Sequence, residues 1–568
     1  MTSIDVAGEG TATEALLAAL SDTDADVRHS EEPDFDGADI VVVVDRTAAD
    51  RFGRANERAG ATGTPWVAVE LGGVGGVPVV DAAVSGFGPE VGCFDCLASR
   101  VAANVTDHDE PAEAPDPGVQ RFAGAVAGRK ISQFLDGDAV LPGTVIEVPH
   151  AQRQFLPVPG CTCDAEPDRT LRRADSEPDG PALARAQEGL DDRVGVVSEV
   201  GEAESFPAPY YLSTLADTSG FSDATVPRQA AGVAVDWDTA FMKALGESYE
   251  RYAAGVYRSE SLPTGPPARV DNPVEPTAFV RPEGWDWSGE SIEWYPAERL
   301  DTGERHHLPA ETVLYPPPSR RVRPPVTTGL GLGSTGTEAL LSGLYEVVER
   351  DAAMLSWYST YDPLGITVEG HDTFETLRRR ATSENLEVTP LLLTQDVDVP
   401  VVGVAVQGNE WPEFALGSAA SLDPVDAATG ALAEALQNWM ELDGMGATEA
   451  QDADGAIGHF ARRPDAAASF VETETTAPVD SVGPDSVPEG EDELAKLVDR
   501  VTAAGLDPYA ARITTRDVER LGFEAVRVVC PTAQPLFFDD PYFGERAERV
   551  PESLGFAPRL DREHHPFP

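Results

Sequence analysis

Strand-sized apolar runs, set apart by glycine-, proline- and acid-rich stretches, alternate along this chain with longer segments of helical period. Ile40–Val44 opens the run IVVVVD, and Trp66–Leu71 reads WVAVEL; both are continuous apolar stretches of buried-strand length. Ile4–Ala7 fits a short strand, followed by Gly-Glu-Gly and a helix through Glu14–Leu20. A second helix is predicted over about 119–136 and a strand near Gly143–Val148, after an acidic, proline-rich loop at 106–118. Residues 164–192 lack apolar periodicity and read as a linker. Beyond 193, the strand-like runs VGVVSEV, VTPLLLT, VPVVGVAV and AVRVVC alternate with long helices, punctuated by the proline-rich Pro263–Pro276 and the acidic insert Ala477–Glu493. The pattern predicts an α/β protein: a small domain over 1–165, an acidic linker over 166–192 and one large domain over 193–568. No window approaches the ~20 apolar residues of a membrane span. The opening MTSIDVAGEG lacks the basic and apolar regions of a signal peptide, so a cytoplasmic protein is expected.

Charge changes the picture of the partners. The formal net charge is −56, with 98 acids against 42 bases, and lysine occurs only at Lys130, Lys243 and Lys496. Such a chain repels nucleic acid and anionic membranes, so neither is expected as a partner. The acids are spread throughout, which fits a halophilic cytoplasm of molar salt, where screening shrinks to ~3 Å. Acidic helix faces are therefore common here, and a carboxylate motif needs more than its own presence to carry meaning.

Two helical segments meet that demand. KALGESYERY carries Glu247, Glu250 and Arg251; TEALLSGLYEVVERDA carries Glu338, Glu346, Glu349 and Arg350, so Glu-x-x-Glu-Arg occurs twice. At about 100° per residue, Glu338, Glu346 and Glu349 share about an 80° arc opposite Leu340, Leu344 and Val348. Phe241, Leu245, Tyr249 and Tyr252 likewise back Glu247 and Glu250. Converging carboxylates repel unless cations gather them. A hard ion such as Mg²⁺ takes oxygen ligands and completes its shell with phosphate oxygens, which an adjacent arginine can hold bidentately. The alternative is a pair of solvated acidic surface faces. Gly331, Gly333 and Gly336 spell GxGxxG before the second helix, but SRRVRPPVTT is no hydrophobic first strand and no acid ends a second strand, so dinucleotide binding is rejected. The glycines instead allow a ligand close to the backbone.

Thr327–Ala352 resembles the YcaO signature: Ser334-Thr-Gly-Thr-Glu338, then Glu346-Val-Val-Glu349-Arg350. Ala244–Tyr252 matches the family's first motif, Ala-Leu-x-Glu-x-x-Glu-Arg, with Lys243 where many members have serine. GALAEALQNW resembles the family's Glu-x-x-Gln helix. The resemblance covers about 190–568 and implies an α+β YcaO domain using ATP and Mg²⁺. It assigns Glu247, Glu250, Glu338, Glu346 and Glu349 to the metal, with Glu346 and Glu349 catalytic. It assigns Ser334, Arg251, Arg350, Glu434 and Gln437 to the nucleotide. The ending EHHPFP is similar to the proline-rich tails of azole-forming members that reach the active site, which implicates Pro568; His564 stands where a longer Pro-x-Pro-x-Pro has proline.

The first 165 residues resemble the ubiquitin-activating-enzyme-like domain fused to such cyclodehydratases, through GFGPEVGCFDCLASR and RQFLPVPGCTC. In that setting Cys93, Cys96, Cys161 and Cys163 form a structural zinc tetrathiolate; the alternative is four free thiols, and Cys161-Thr-Cys163 is one residue tighter than the usual pair. Gly8 and Gly10 lack a third glycine, since Thr13 takes its place, so no nucleotide is expected there. The implied reaction is ATP-driven activation of a peptide backbone amide, giving an azoline or a thioamide in a ribosomally made peptide. Expected partners are a peptide or protein substrate and, by resemblance, a protein that recognises a leader peptide; a homodimer stays open. Two rival readings are an accessory protein for modifying a cellular protein and a non-catalytic scaffold that presents peptides, the latter having no need of five metal ligands.

Overall fold

The computed structural model describes residues 2–89, 91–105, 115–149, 151–163, 167–173, 178–285, 287–450 and 456–568. Among these residues four sheets form. The first has seven strands and runs from Ser3–Ala7 to Ala151–Gln154, with Asp26–Ser30 at one edge. Its first four strands are parallel and the last three antiparallel. Ile40–Arg46 lies inside it, and its alternate residues feed two cores. Ile40, Val42 and Val44 pack under the helices Thr11–Leu20 and Pro117–Leu135, whereas Val41 and Val43 pack under Asp50–Thr62 and Phe94–Asn104. A strand covered on both faces reads as an unbroken apolar run, which is why IVVVVD is legible. The two helices of the first face touch closely enough that a Cβ at Gly124 would meet the Ala12 carbonyl.

The rest of the chain builds three sheets around two glutamate-bearing helices. Val197–Glu204, Tyr210–Leu215 and Gln229–Val233 form an antiparallel sheet against the first of them, Trp237–Gly255. A six-stranded sheet centres on Tyr509–Arg512 and Glu524–Val529, with Leu330–Gly333 at its edge. A five-stranded sheet centres on Val401–Gln407 and Phe414–Ala420. The second glutamate helix, Gly336–Trp357, is wedged between these last two sheets, where Leu340, Leu344 and Val348 join Val526, Val528 and Leu416 in one core. Pro424–Glu449 covers the other face of the five-stranded sheet, packing on Val402, Val404 and Val406. The fold is thus α/β with mixed sheets.

Two stretches pack closely into the fold. The stretch expected as an acidic linker, 166–192, is built into the molecule where it is described: Arg172 pairs with Glu519 at 2.6 Å, Arg173 with Glu298, and the short helix Ala182–Gln187 buries Arg185 and Ala186. Its arginines, which interrupt any apolar period, are what anchor it. The loop at 106–118 falls largely outside the described residues. The glycines of GLGLGSTG are where other backbone comes close. A Cβ at Gly331 would lie 2.2 Å from the Ala339 carbonyl, and one at Gly336 would lie 2.0 Å from that of Arg172.

Candidate active site and cysteine cluster

Three helices converge, each started by a side-chain cap. Asp236 accepts from Thr239 N, Thr335 accepts from Glu338 N, and Asp423 accepts from Val425 N ahead of Pro424. Their glutamates are then pinned by strand backbones. Ala231 N donates to Glu247 at 2.9 Å, Gly329 N to Glu346 at 2.9 Å and Ser418 N to Glu434 at 2.6 Å. In each, the Oε2 oxygen is held by the amide while Oε1 faces an arginine, Arg251 for Glu247 and Arg350 for Glu346 and Glu434. Glu349, almost fully buried, accepts from Ser418 Oγ at 2.6 Å.

Two overlapping groups result. In one, burial and the neighbouring carboxylates Glu346 and Glu247 push Glu250 up to about 8 against the pull of Arg251 and Arg527. In the other, Arg350 sits 3.5 Å from both Glu349 and Glu434 and 3.9 Å from Glu346. Burial pushes Glu349 up to about 8 despite Arg350, and Glu434 is raised for the same first reason. Arg251 folds onto Glu247 at 2.6 Å, leaving its buried Nε without a hydrogen-bond partner. Lys243, one turn before Glu247, has its ammonium pKa lowered by desolvation against the fields of Glu434 and Asp236.

Other expected residues stand differently. Glu338 is exposed, and its carboxylate accepts from Ser334 N at 2.8 Å while its own amide bonds the Thr335 cap; no contact ties it to the other glutamates among the described residues. Ser334 Oγ accepts from Arg185 at 2.9 Å. Gln437 donates to Glu441 at 3.0 Å, and Glu441 also accepts from Tyr210. The tail packs inward: His565 and Phe567 are buried, His565 Nε2 lies 2.7 Å from the Phe537 carbonyl, and Arg350 donates to Pro568 O at 3.2 Å. Sequence reading missed Ser418, Arg185 and Arg527. Each stands in an unremarkable context (LGSAA, ARAQ, AVRVV), and only its burial marks it.

The four cysteines meet as expected. All four Sγ atoms lie within 4.8 Å of one another, with Cys93–Cys161 and Cys96–Cys163 both at 3.5 Å and Cys93–Cys96 at 3.8 Å. A tetrahedral zinc with Zn–S near 2.3 Å sets its sulfurs about 3.8 Å apart, so these residues fit that ion. Cys96 shares its helix with Arg100, which is fully buried against Asp517, and Asp517 accepts from Tyr252 of the first glutamate helix at 2.6 Å. The cluster and the glutamates are thus joined by a buried ion pair.

Capped helices of a mixed α/β fold thus gather pinned carboxylates around an arginine, a donor set whose chemistry fits a hard metal ion with phosphate oxygens. The model for the family described as YcaO cyclodehydratase, ATP- and Mg²⁺-binding, matches residues 231–534, and the chain belongs to the YcaO family. It is an ATP-dependent enzyme of the cyclodehydratase type. An uncharacterized protein of Methanothermobacter thermautotrophicus is 28% identical over 319 residues, 53% of this chain and 81% of that relative. Among solved structures, a heterocyclase in complex with substrate and cofactor overlays with TM-score 0.74 at 18% identity, covering 98% of this chain and 83% of the other. The heterocyclase TruD overlays at 0.66 and 20% identity, covering 97% and 81%. At these identities the overlays show the fold, and they extend over the N-terminal sheet as well. Among the described residues no helix is long and apolar enough to cross a membrane.

Proposed function

We propose that this chain phosphorylates the oxygen of a backbone amide in a ribosomally made peptide, giving azoline heterocycles, with the thioamide as the product when external sulfide replaces a side-chain nucleophile. The observation that supports it is the set of carboxylates, each held by a strand amide or hydroxyl with one oxygen facing Arg350 or Arg251. Glu247, Glu250, Glu346 and Glu349 would hold Mg²⁺, whose charge would neutralise phosphate oxygens and offset the burial and carboxylate repulsion that raise Glu250 and Glu349. Arg350 and Arg251 orient phosphoryl oxygens; Glu434 and Gln437 border the nucleotide, and Ser334 is held toward it by Arg185. Glu338, a helix cap here, would join the metal only by leaving Ser334 N.

A Cys, Ser or Thr side chain of the peptide gives up its S–H or O–H proton to solvent and adds to the preceding amide carbonyl. The resulting oxyanion attacks the γ-phosphorus and ADP leaves. The ring nitrogen's electron pair then expels phosphate, and loss of the nitrogen's proton leaves the C=N bond of the azoline. Such chemistry asks for positioning and charge neutralisation and not for a protein nucleophile. The N-terminal region over 1–165 would carry a structural zinc on the four cysteines, and 193–568 the catalysis; the acidic surface suits a cytoplasm of molar salt. Glu346→Gln and Glu349→Gln keep side-chain size and remove a charge from the metal shell. ATP hydrolysis in molar KCl with Mg²⁺ and a peptide that supports turnover should fall by orders of magnitude with the fold intact; wild-type turnover in both contradicts the assignment.

A further inference from the structure

Beside the C-terminal end of the first glutamate helix lies a cavity of about 710 Å³. Its size falls within the ~300–1,000 Å³ of ligand sites. Ala253 of that helix and Val256 just past its end form one side, Tyr257, Tyr295 and Leu314 an apolar wall, and Pro159–Cys161 of the cysteine loop another. Five arginines line it against three acids, in a chain where acids outnumber bases 98 to 42.

Two of its polar groups lack full partners. The Arg169 guanidinium stacks 4.7 Å over the Tyr295 ring and donates once, to Ser261 Oγ at 3.2 Å; it makes no ion pair among the described residues. Thr515, 8% exposed, has a buried Oγ1 with no hydrogen-bond partner. The other arginines are engaged: Arg258 with Asp223, Arg172 and Arg512 with Glu519 and Glu524, and Arg516 with Cys163. A carboxylate is the group that accepts from a guanidinium fork and a hydroxyl at once. The aromatic wall beside it suits an adjoining apolar side chain.

We infer that this cavity binds an acidic, apolar-anchored segment of the peptide substrate, at a distance from the amide that reacts. The inference rests on the peptide reading above. A backbone amide is common to every peptide, so discrimination has to come from contacts elsewhere, and binding at a second point raises the local concentration of the reacting segment. In molar salt, screening over ~3 Å leaves only contact pairs effective, so Arg169 and not the general field should carry the recognition.

The test uses the full-length protein in molar KCl without nucleotide, and a fluorescein-labelled peptide alternating leucine and glutamate. Wild type should bind it saturably. Arg169→Glu and Thr515→Val should each weaken binding, the first by about tenfold or more, and a glutamine version of the peptide should lose as much. Thr515→Val keeps side-chain shape, so it covers the case in which Arg169→Glu disturbs the fold. Glu346→Gln and Glu349→Gln, on the second glutamate helix and outside the cavity lining, should bind the peptide as wild type does. Absence of saturable binding, or equal binding to both cavity variants, overturns the site. ATP turnover independent of Glu346 and Glu349, with peptide binding still lost in the cavity variants, would instead contradict the proposed reaction and leave the site standing.

Discussion

Glu250 and Glu349 each hold a proton up to about 8, against an ordinary 4.5, because burial penalises the charged form and neighbouring carboxylates add to it. The sign of the consequence follows. Below about 4.5 both folded and unfolded chains are protonated and nothing is lost; as pH rises to about 8 the unfolded chain ionises first, so the folded state loses stability through that window. Glu250→Gln and Glu349→Gln remove the penalty. Without Mg²⁺ and nucleotide, these variants should melt at the wild-type temperature near pH 5 and a few degrees above it near pH 8. With Mg²⁺ and ATP the difference should shrink, since a cation stabilises the ionised wild type. A thermal scan at the two pH values reads it, and a difference independent of pH would mean the carboxylates are not strained. The Glu-x-x-Glu-Arg spacing made these residues legible in the sequence, because two helical turns with an apolar back fix their face. Ser418, which bonds both Glu349 and Glu434, was not legible, because its role comes from a strand that meets the helices only in the folded chain.

At the scale of elements, the first glutamate helix is fixed from behind by Tyr252, Asp517 and Arg100, with the Arg100 and Asp517 side chains wholly inaccessible. Asp517→Ala would leave Arg100 as an uncompensated buried charge and should cost about 3–5 kcal/mol, measured by denaturant unfolding. Tyr252→Phe removes one hydrogen bond and should cost less, about 1–3 kcal/mol. Equal, small losses would mean that the pair does not anchor the helix. The C-terminal tail is a second such element: Trp357 donates to Glu563 O, and Arg350 to Pro568 O. Deleting 566–568, or appending residues after Pro568, should collapse peptide modification while ATP affinity changes modestly and the melting temperature moves by a few degrees. Unchanged modification in both would make the tail structural packing only. The doubled proline and the phenylalanine suggested docking, yet the partner of Pro568 lies 218 residues away, and no local pattern encodes it.

Across the whole molecule, strands covered on both faces were the most legible, since IVVVVD and WVAVEL leave no alternative to burial. The segment 166–192 was the least legible, because arginines that form ion pairs with distant glutamates look the same in sequence as a solvated linker. The cysteine cluster joins the start of Phe94–Asn104 to the loop at 161–163, so a metal there would staple the N-terminal region. Purified protein should carry about one zinc per chain, and Cys93→Ser or Cys163→Ser should release it and make the N-terminal half protease-sensitive. Native, zinc-free protein with four titratable thiols contradicts that. The central claim, that the amide oxygen receives the phosphoryl group, is tested most directly by isotope. A peptide that supports turnover is labelled with ¹⁸O at the reacting amide and turned over with ATP and Mg²⁺ in molar KCl. The account predicts that the label leaves the peptide in the phosphate released, one ¹⁸O for each ring formed. Label appearing in water, with unlabelled phosphate, would contradict it.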